Sequence, residues 1–323
     1  MAKKVSLIEA QEAVEIWKLN NFSRKKSALQ LGLPERTFSG RLEKAVEYGI
    51  LENSNSNPII DKTKSSARIN CEIKNGIVLI GSDAHYWPNN VSTAHKAFVK
   101  MARELNPSLI IMNGDVLDGA GISRHPPIGW EKKPDLVDEI EECKARLEDI
   151  ELACPKARRI WTLGNHDARF ETRLATVAPQ YAKIHGIHLK DHFPKWENAW
   201  SAWINNDVVV KHRYKGGLHA THNNTLSGGK SMVTGHLHSL KVTPYSDYNG
   251  TRYGIDCGTL APVYTAQEGP TSDQFLDYTE DGPLNWRSGF VVLTFENGEL
   301  LWPEIVHVMD KKRFQFRGKV YYA

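Results

Sequence analysis

Five short blocks of this sequence gather side chains that bind cations. Asp83 and His85 stand in Gly-Ser-Asp-Ala-His, and Asp115 and Asp118 in Asn-Gly-Asp-Val-Leu-Asp. Asn165, His166 and Asp167 stand in Gly-Asn-His-Asp, His212 follows Lys211, and His236 and His238 stand in Gly-His-Leu-His. A mixed set of carboxylate, carboxamide and imidazole ligands suits Mn, Fe or Zn better than Ca or Mg alone. Each block comes directly after a short apolar run, the runs ending at Ile80, Met112, Leu163, Val210 and Val233. Loops at the carboxyl ends of strands in an α/β sheet converge on one crevice. An Asp and a His two residues apart at a strand end face the same side. Asp83 with His85, and His236 with His238, can therefore each reach one ion. Taken singly, any of these blocks is an ordinary turn or capping pair, because Gly, Asn and Asp favour turns. Their recurrence after five β runs is what points to a metal centre.

The elements that would position these residues can be read from pattern. Amphipathic stretches near 92–105 and 136–154 separate the first three apolar runs, an alternation that predicts an α/β layered domain with buried strands. Residues 289–296, Asn297-Gly298 and 299–308 read as a hairpin. Trp196, Trp200 and Trp203 are spaced like one face of a helix packed on the core. Arg124, His125 and Trp130 lie in a Gly/Pro-rich loop, 119–134, after the second block. That loop is either a clamp for substrate or a structural insertion. Residues 311–317 interleave basic and aromatic side chains, which suits a nucleic-acid groove or a solvated edge strand.

Residues 7–50 read as three helices, the first over 9–19. Ser23 caps the second, Gly32 ends it in a left-handed turn, and Pro34 opens the third, which stops at Gly49. The polar, aperiodic stretch 51–70 is the linker to a large domain over 71–323. The net charge of +3 argues for no partner by itself. Residues 1–75, however, carry 13 Lys and Arg against 9 Asp and Glu. This excess suits a polyanion, and equally a solvated face. Four dispersed cysteines without a CxxC pair read as reduced thiols. No apolar run approaches the ~18 residues of a membrane span, and no apolar segment follows the basic N-terminus, so a cytoplasmic location without membrane contact is expected.

In order and spacing the five blocks resemble the calcineurin-like metallophosphoesterases: DxH, GDxxD, GNHD, a lone His after a strand, then GHxH, over roughly residues 77–240. The resemblance implies an α/β/β/α sandwich and two divalent transition-metal ions, Mn expected, with Fe, Zn or Ni as alternatives. It places one ion on Asp83, His85, Asp115 and His238, and the other on Asp115, Asn165, His212 and His236, with Asp115 bridging. Two cations ~3.5–4 Å apart require such a shared anion, and a bridging hydroxide would attack phosphorus. His166 is implied as the group that stabilises transition-state charge or protonates the leaving alkoxide, oriented by Asp167. Asp118 is given a similar supporting part around the Asp115 loop. Arg213 stands where the family often has Gly, which leaves His219 or His222 as alternatives to His212.

Residues 23–50 resemble the Fis-type helix-turn-helix of bacterial and phage DNA-binding proteins. The likeness is carried by Ala28, Leu31-Gly32-Leu33, Arg36-Thr37-Phe38, Arg41-Leu42, Lys44 and Tyr48-Gly49-Ile50. It implies a core of Leu33, Phe38 and Leu42, with Arg36, Thr37, Arg41 and Lys44 turned toward nucleic acid. Pro34-Glu35 and Gly40 depart from that pattern, and the alternative is a module for homo-oligomer assembly. Together these readings give a phosphodiesterase or nuclease acting on nucleic acid. The alternative is a phosphomonoesterase acting on small molecules or phosphoproteins.

Overall fold

The computed structural model describes residues 5–20, 23–51, 67–126, 129, 133–263 and 285–323. Most of the expected linker, and Trp130, lie outside the described residues. The chain divides into two units, Met1–Lys64 and Ser65–Ala323.

The first unit holds α1 (Leu7–Leu19), α2 (Arg24–Gln30) and α3 (Glu35–Glu47). Ser6 and Glu9 form a reciprocal capping box at the start of α1, which satisfies two backbone N–H groups that have no helical partner. Gly32, at φ 62°, makes the turn between α2 and α3. Ala10, Ala13 and Val14 pack with Ala28, Phe38, Leu42 and Ala45 in a core confined to this unit. Leu33, expected in that core, lies outside it. Arg41 and Lys44 are engaged in ion pairs within the unit. Arg41 bridges from α3 to α1, 3.2 Å from both Glu9 and Glu12, and Lys44 pairs with Glu47. Acidic residues within reach neutralise both cations, whereas Arg36 and Thr37 are exposed.

The second unit begins with β1 (Ile69–Cys71), β2 (Gly76–Gly81), α4 (Thr93–Leu105), β3 (Leu109–Met112), α5 (Leu136–Ala153) and β4 (Arg158–Thr162). It continues with α6 (Asp167–Val177), α7 (Leu189–His192), β5 (Glu197–Ala199), β6 (Ala202–Ile204), β7 (Val208–Val210) and α8 (Ala220–Gly228). The last strands are β8 (Ser231–Thr234), β9 (Lys241–Asp247), β10 (Gly250–Asp256), β11 (Gly289–Glu296), β12 (Glu299–Leu300), β13 (Glu304–Val308), β14 (Arg313–Phe316) and β15 (Lys319–Tyr322). One sheet runs β15-β14-β13-β11-β2-β3-β4-β5, with β12 on β11; the other runs β1-β6-β7-β8-β10-β9.

Side chains of the first sheet alternate between two cores. Leu79, Ile110, Met112, Trp161, Phe290 and Val292 join the cluster shared with α4 and α5. Val78, Ile80, Leu109, Ile111, Ile160, Val291 and Leu293 join the cluster shared with the second sheet. Burial on both faces explains why these strands read as continuous apolar runs. The helix α8 packs on β8, β9 and β10, which completes an α/β/β/α sandwich.

The tryptophan stretch is not helical. Trp196 is buried ahead of β5, Trp200 is 48% exposed, and Trp203 lies in β6 with the Arg68 guanidinium 3.6 Å from its ring. Two consecutive short strands reproduce a spacing of three to four residues without a helix. In the 311–317 stretch, Phe314 and Phe316 join the core, while Arg313 and Arg317 pair with Asp310 and Glu304. The four cysteines are buried and free. No helix among the described residues is long and apolar enough to cross a membrane.

Candidate metal centre

The ligand-type residues stand just past the carboxyl ends of β2, β3, β4, β7 and β8. The pleat does not align them. The strands β2 and β8 stop at Gly81 and Thr234, and beyond them Asp83, His85, His236 and His238 adopt φ of 53°, 40°, 70° and 55°; Asp115 does the same at 50°. Non-glycine residues in this region cost on the order of 1–3 kcal/mol each and persist only when their surroundings over-determine them. Those surroundings are visible. The N–H of Asp83 donates to Gly114 O at 2.9 Å, that of His85 to Asp115 O at 3.0 Å, and that of Gly235 to His212 O at 2.8 Å. Two glycines have no room for a side chain: a Cβ on Gly164 would lie 2.0 Å from Asp115 Oδ1, and one on Gly235 would lie 1.9 Å from Ser82 Oγ.

The five loops gather their side chains into adjoining clusters. Asp83, His85 and His238 form one; Asp115, His212 and His236 form another; His85, Asp118 and His166 form a third. His238 Nε2 lies 2.9 Å from Asp83 Oδ1, and His212 Nε2 lies 3.0 Å from Asp115 Oδ2. His212 Nδ1 donates to Asn113 O at 2.8 Å, which turns Nε2 into the site. Of the alternatives to His212, His219 is exposed and His222 packs on Tyr245, so His212 is the member of the three that stands in the cluster.

These residues fit divalent cations on two grounds. Asn165 Oδ1, of ligand type, is buried without a hydrogen-bond partner. The charge balance points the same way. Burial opposes ionisation of Asp83, yet His238 and His212 hold its carboxyl down at about 2. Burial likewise opposes ionisation of Asp115, and His212 drives its carboxyl lower still. Burial pushes the His212 imidazole down, but Asp83 and Asp115 outweigh it and raise it to about 10. Buried carboxylates this close demand positive charge, and divalent ions supply it. Burial pushes His236 and His238 toward the neutral, ligating form.

Around this cluster the supporting roles differ from those expected. Asp167, expected to orient His166, does not touch its ring. Its carboxylate instead accepts from the N–H groups of Gly164 (2.8 Å), Asp115 (2.8 Å), Val116 (3.1 Å) and Leu117 (3.2 Å), and from Trp161 Nε1 (3.0 Å). It opens α6, and its carboxylate is used up stitching the second block to the third. The group that orients His166 is Asp118: His166 Nδ1 lies 2.9 Å from its carbonyl and 3.0 Å from its Oδ1. The same Oδ1 lies 2.8 Å from His85 Nδ1. Burial opposes the charge on Asp118, and the hydrogen bonds from His166 and His85 hold its carboxyl far below the usual range.

Three contributors were not foreseen. Glu139, buried on α5, accepts from Gly119 N at 2.6 Å and Ala120 N at 3.1 Å and so holds the turn after Asp118. Burial, with the Asp118 charge, pushes its carboxyl up to about 7. The available signal was a carboxylate on the apolar stripe of an amphipathic helix. Trp286 sets its ring 4.0 Å from that of His238. Arg169 donates to both His166 and Asp118, and its signal was a position one helical turn after His166. Arg124 and His125 are exposed and stand outside the three clusters.

A family model described as calcineurin-like phosphoesterase matches residues 77–254. Solved structures similar to this chain include a zinc-bound Vps29 from Entamoeba histolytica, 15% identical over 76% of this chain and 97% of that one, with a TM-score of 0.39. A novel archaeal phosphodiesterase is 15% identical over 71% and 99% of the two chains, with a TM-score of 0.35. The phosphoesterase YfcE from E. coli is 12% identical over 70% and 97%, with a TM-score of 0.31. No curated protein matches the chain.

Proposed function

The chain belongs to the calcineurin-like phosphoesterase family and so is a metal-dependent hydrolase of phosphate esters; from that premise we propose a phosphodiesterase that acts on nucleic acid. The observation that carries the choice of substrate is the charge on the three-helix unit. Arg24, Lys25 and Lys26 are exposed on α2, whose first turn has no acid, and Arg36 and Thr37 are exposed on α3. We read this unit as a helix-turn-helix that tethers the enzyme to a polyanion.

Asp83, His85 and His238 would hold one ion, and Asn165, His212 and His236 the other, with Asp115 shared. When bound, the two ions supply Lewis-acid polarisation of the phosphoryl group and a water acidic enough to act near neutral pH. The chain's own residues do the rest. Asp118 accepts from His166 Nδ1, which stabilises the ring as Nε2 takes up a proton from solvent and passes it to the leaving oxygen. Glu139 and Asp167 keep the Asp115–Asp118 loop in place beneath it.

A second reading has its own support. Ile8, Leu19 and Leu29 are 76%, 75% and 82% exposed on the three-helix unit. Such side chains suit a protein interface, which favours an assembly module on a phosphomonoesterase. Manganese-loaded protein assayed on mono- and bis-nitrophenyl phosphate and on single- and double-stranded DNA separates the two. The proposal expects the bis-ester to be preferred and DNA to be cleaved. Charge reversal of Arg24, Lys25 and Lys26 should weaken DNA binding at unchanged bis-ester turnover. It should also flatten the slope of log affinity against log salt by roughly one unit for every phosphate that the protein no longer neutralises. A preference for the mono-ester, with a fall in oligomeric mass on deletion of residues 1–55, would establish the assembly reading instead.

A further inference from the structure

Arg169 projects from α6 one turn beyond His166 and is half-buried. Its Nη1 donates to Asp118 O at 3.0 Å, and its Nη2 lies 3.1 Å from His166 Nε2. A guanidinium only donates, so His166 Nε2 must meet it with a lone pair. His166 Nδ1 faces two oxygens of Asp118 and so carries the ring proton. The nitrogen assigned above to the leaving oxygen is therefore occupied by an arginine.

That contact is a weak use of a guanidinium. A phosphate oxygen makes a shorter, charge-assisted bond, which the planar fork can double. The seven residues assigned as metal ligands are acidic or uncharged when they ligate, so none of them offers a cation to the non-bridging phosphate oxygens. We infer that Arg169 is a phosphate-binding residue. Its Nη2 leaves His166 Nε2 for a non-bridging oxygen of the scissile phosphoryl group, while the bond from Nη1 to Asp118 O keeps the guanidinium in place. One motion thus clamps substrate and frees the nitrogen that must approach the leaving oxygen. The inference rests on the phosphoesterase reading and on the role given to His166.

The test is calorimetric titration of inorganic phosphate into zinc-loaded wild-type protein, Arg169→Met, Arg169→Lys and Arg173→Met. Arg173 is exposed on the same helix and serves as the control. Losing a hydrogen bond to a charged group predicts phosphate binding weaker by roughly 10- to 100-fold in Arg169→Met. Arg169→Lys should recover part of the loss, and Arg173→Met should match wild type. Nitrogen-15 spectra of the His166 ring should show Nδ1–H with Nε2 as acceptor, and the Nε2 signal should move when phosphate is added to wild type but not to Arg169→Met. Unchanged phosphate affinity in Arg169→Met would overturn the inference, as would loss of bound zinc in that variant. If wild type binds phosphate through Arg169 but hydrolyses no phosphate ester, the inference stands and the proposed function falls.

Discussion

The metal centre and the three-helix unit place their charged residues by opposite means. Asp83 and Asp115 are sealed from water, each anchored by N–H groups from another loop: His236 N on Asp83 and His166 N on Asp115. In the helical unit, Arg36 stands in water and Arg41 is satisfied by two partly exposed glutamates. A buried carboxylate that serves several partners cannot change without disturbing all of them, whereas surface charges act nearly independently. Substitutions should therefore propagate in the first region and remain local in the second.

The largest expected effect is at Asp115. Elemental analysis of loaded wild type should give close to two ions per chain, and Asp115→Asn should lower occupancy of both sites and reduce turnover by at least ~10²-fold. Full occupancy and activity in that variant would remove Asp115 from its bridging place and break the comparison at its strongest point.

A paired test sharpens the comparison by asking whether every buried carboxylate propagates in the same way. Asp118→Asn should lower turnover by roughly 10- to 100-fold, as loss of a partner that orients a working imidazole does. Its melting temperature should fall less than that of Asp167→Asn, because the Asp118 carboxylate is in contact with two imidazoles whereas that of Asp167 accepts from five N–H groups. Asp167→Asn should chiefly lower the melting temperature, because a buried group left poorly satisfied costs about 1–3 kcal/mol. The opposite outcome, with Asp167 silent in stability and essential to turnover, would restore the role that chain adjacency assigned to it.

The smallest effect belongs to Arg41. Arg41→Ala should destabilise the helical unit by only ~0.2–1 kcal/mol, read as faster hydrogen exchange of α1 amides at unchanged nitrophenyl-ester turnover. A large loss of DNA affinity with unaltered exchange would make Arg41 a groove contact after all.

The layout of the metal centre was legible because each ligand loop follows a strand buried on both faces, so an apolar run announces it. Ile77–Ile80 before Asp83 and Leu109–Met112 before Asp115 carry that signal in their side chains. Partnership was not legible. Asp167 is the chain neighbour of His166, yet Asp118 reaches the ring from another loop, a choice made by tertiary packing. The left-handed backbone at the ligands was hidden for a related reason: neither Asp nor His requires it, and the surrounding loops impose it. The ion pairs of Arg41 were not legible because its acidic partners lie 29 and 32 residues earlier. The tryptophans misled because spacing alone does not separate a helix from two short strands.

The position of β2 in its sheet has a consequence for how the enzyme is made. The strand that leads to Asp83 lies between β3 and β11, and the partner of Asp83 in the cluster, His238, is 155 residues further along. A ribosome adding ~5–20 residues per second leaves the first acid of the centre exposed for on the order of ten seconds or longer before its flanking strand emerges. Throughout that interval the nascent chain carries isolated acids and imidazoles instead of a metal pocket. Assembly of the complete ligand set is thereby deferred until His236 and His238 have been made and β8 has joined its sheet.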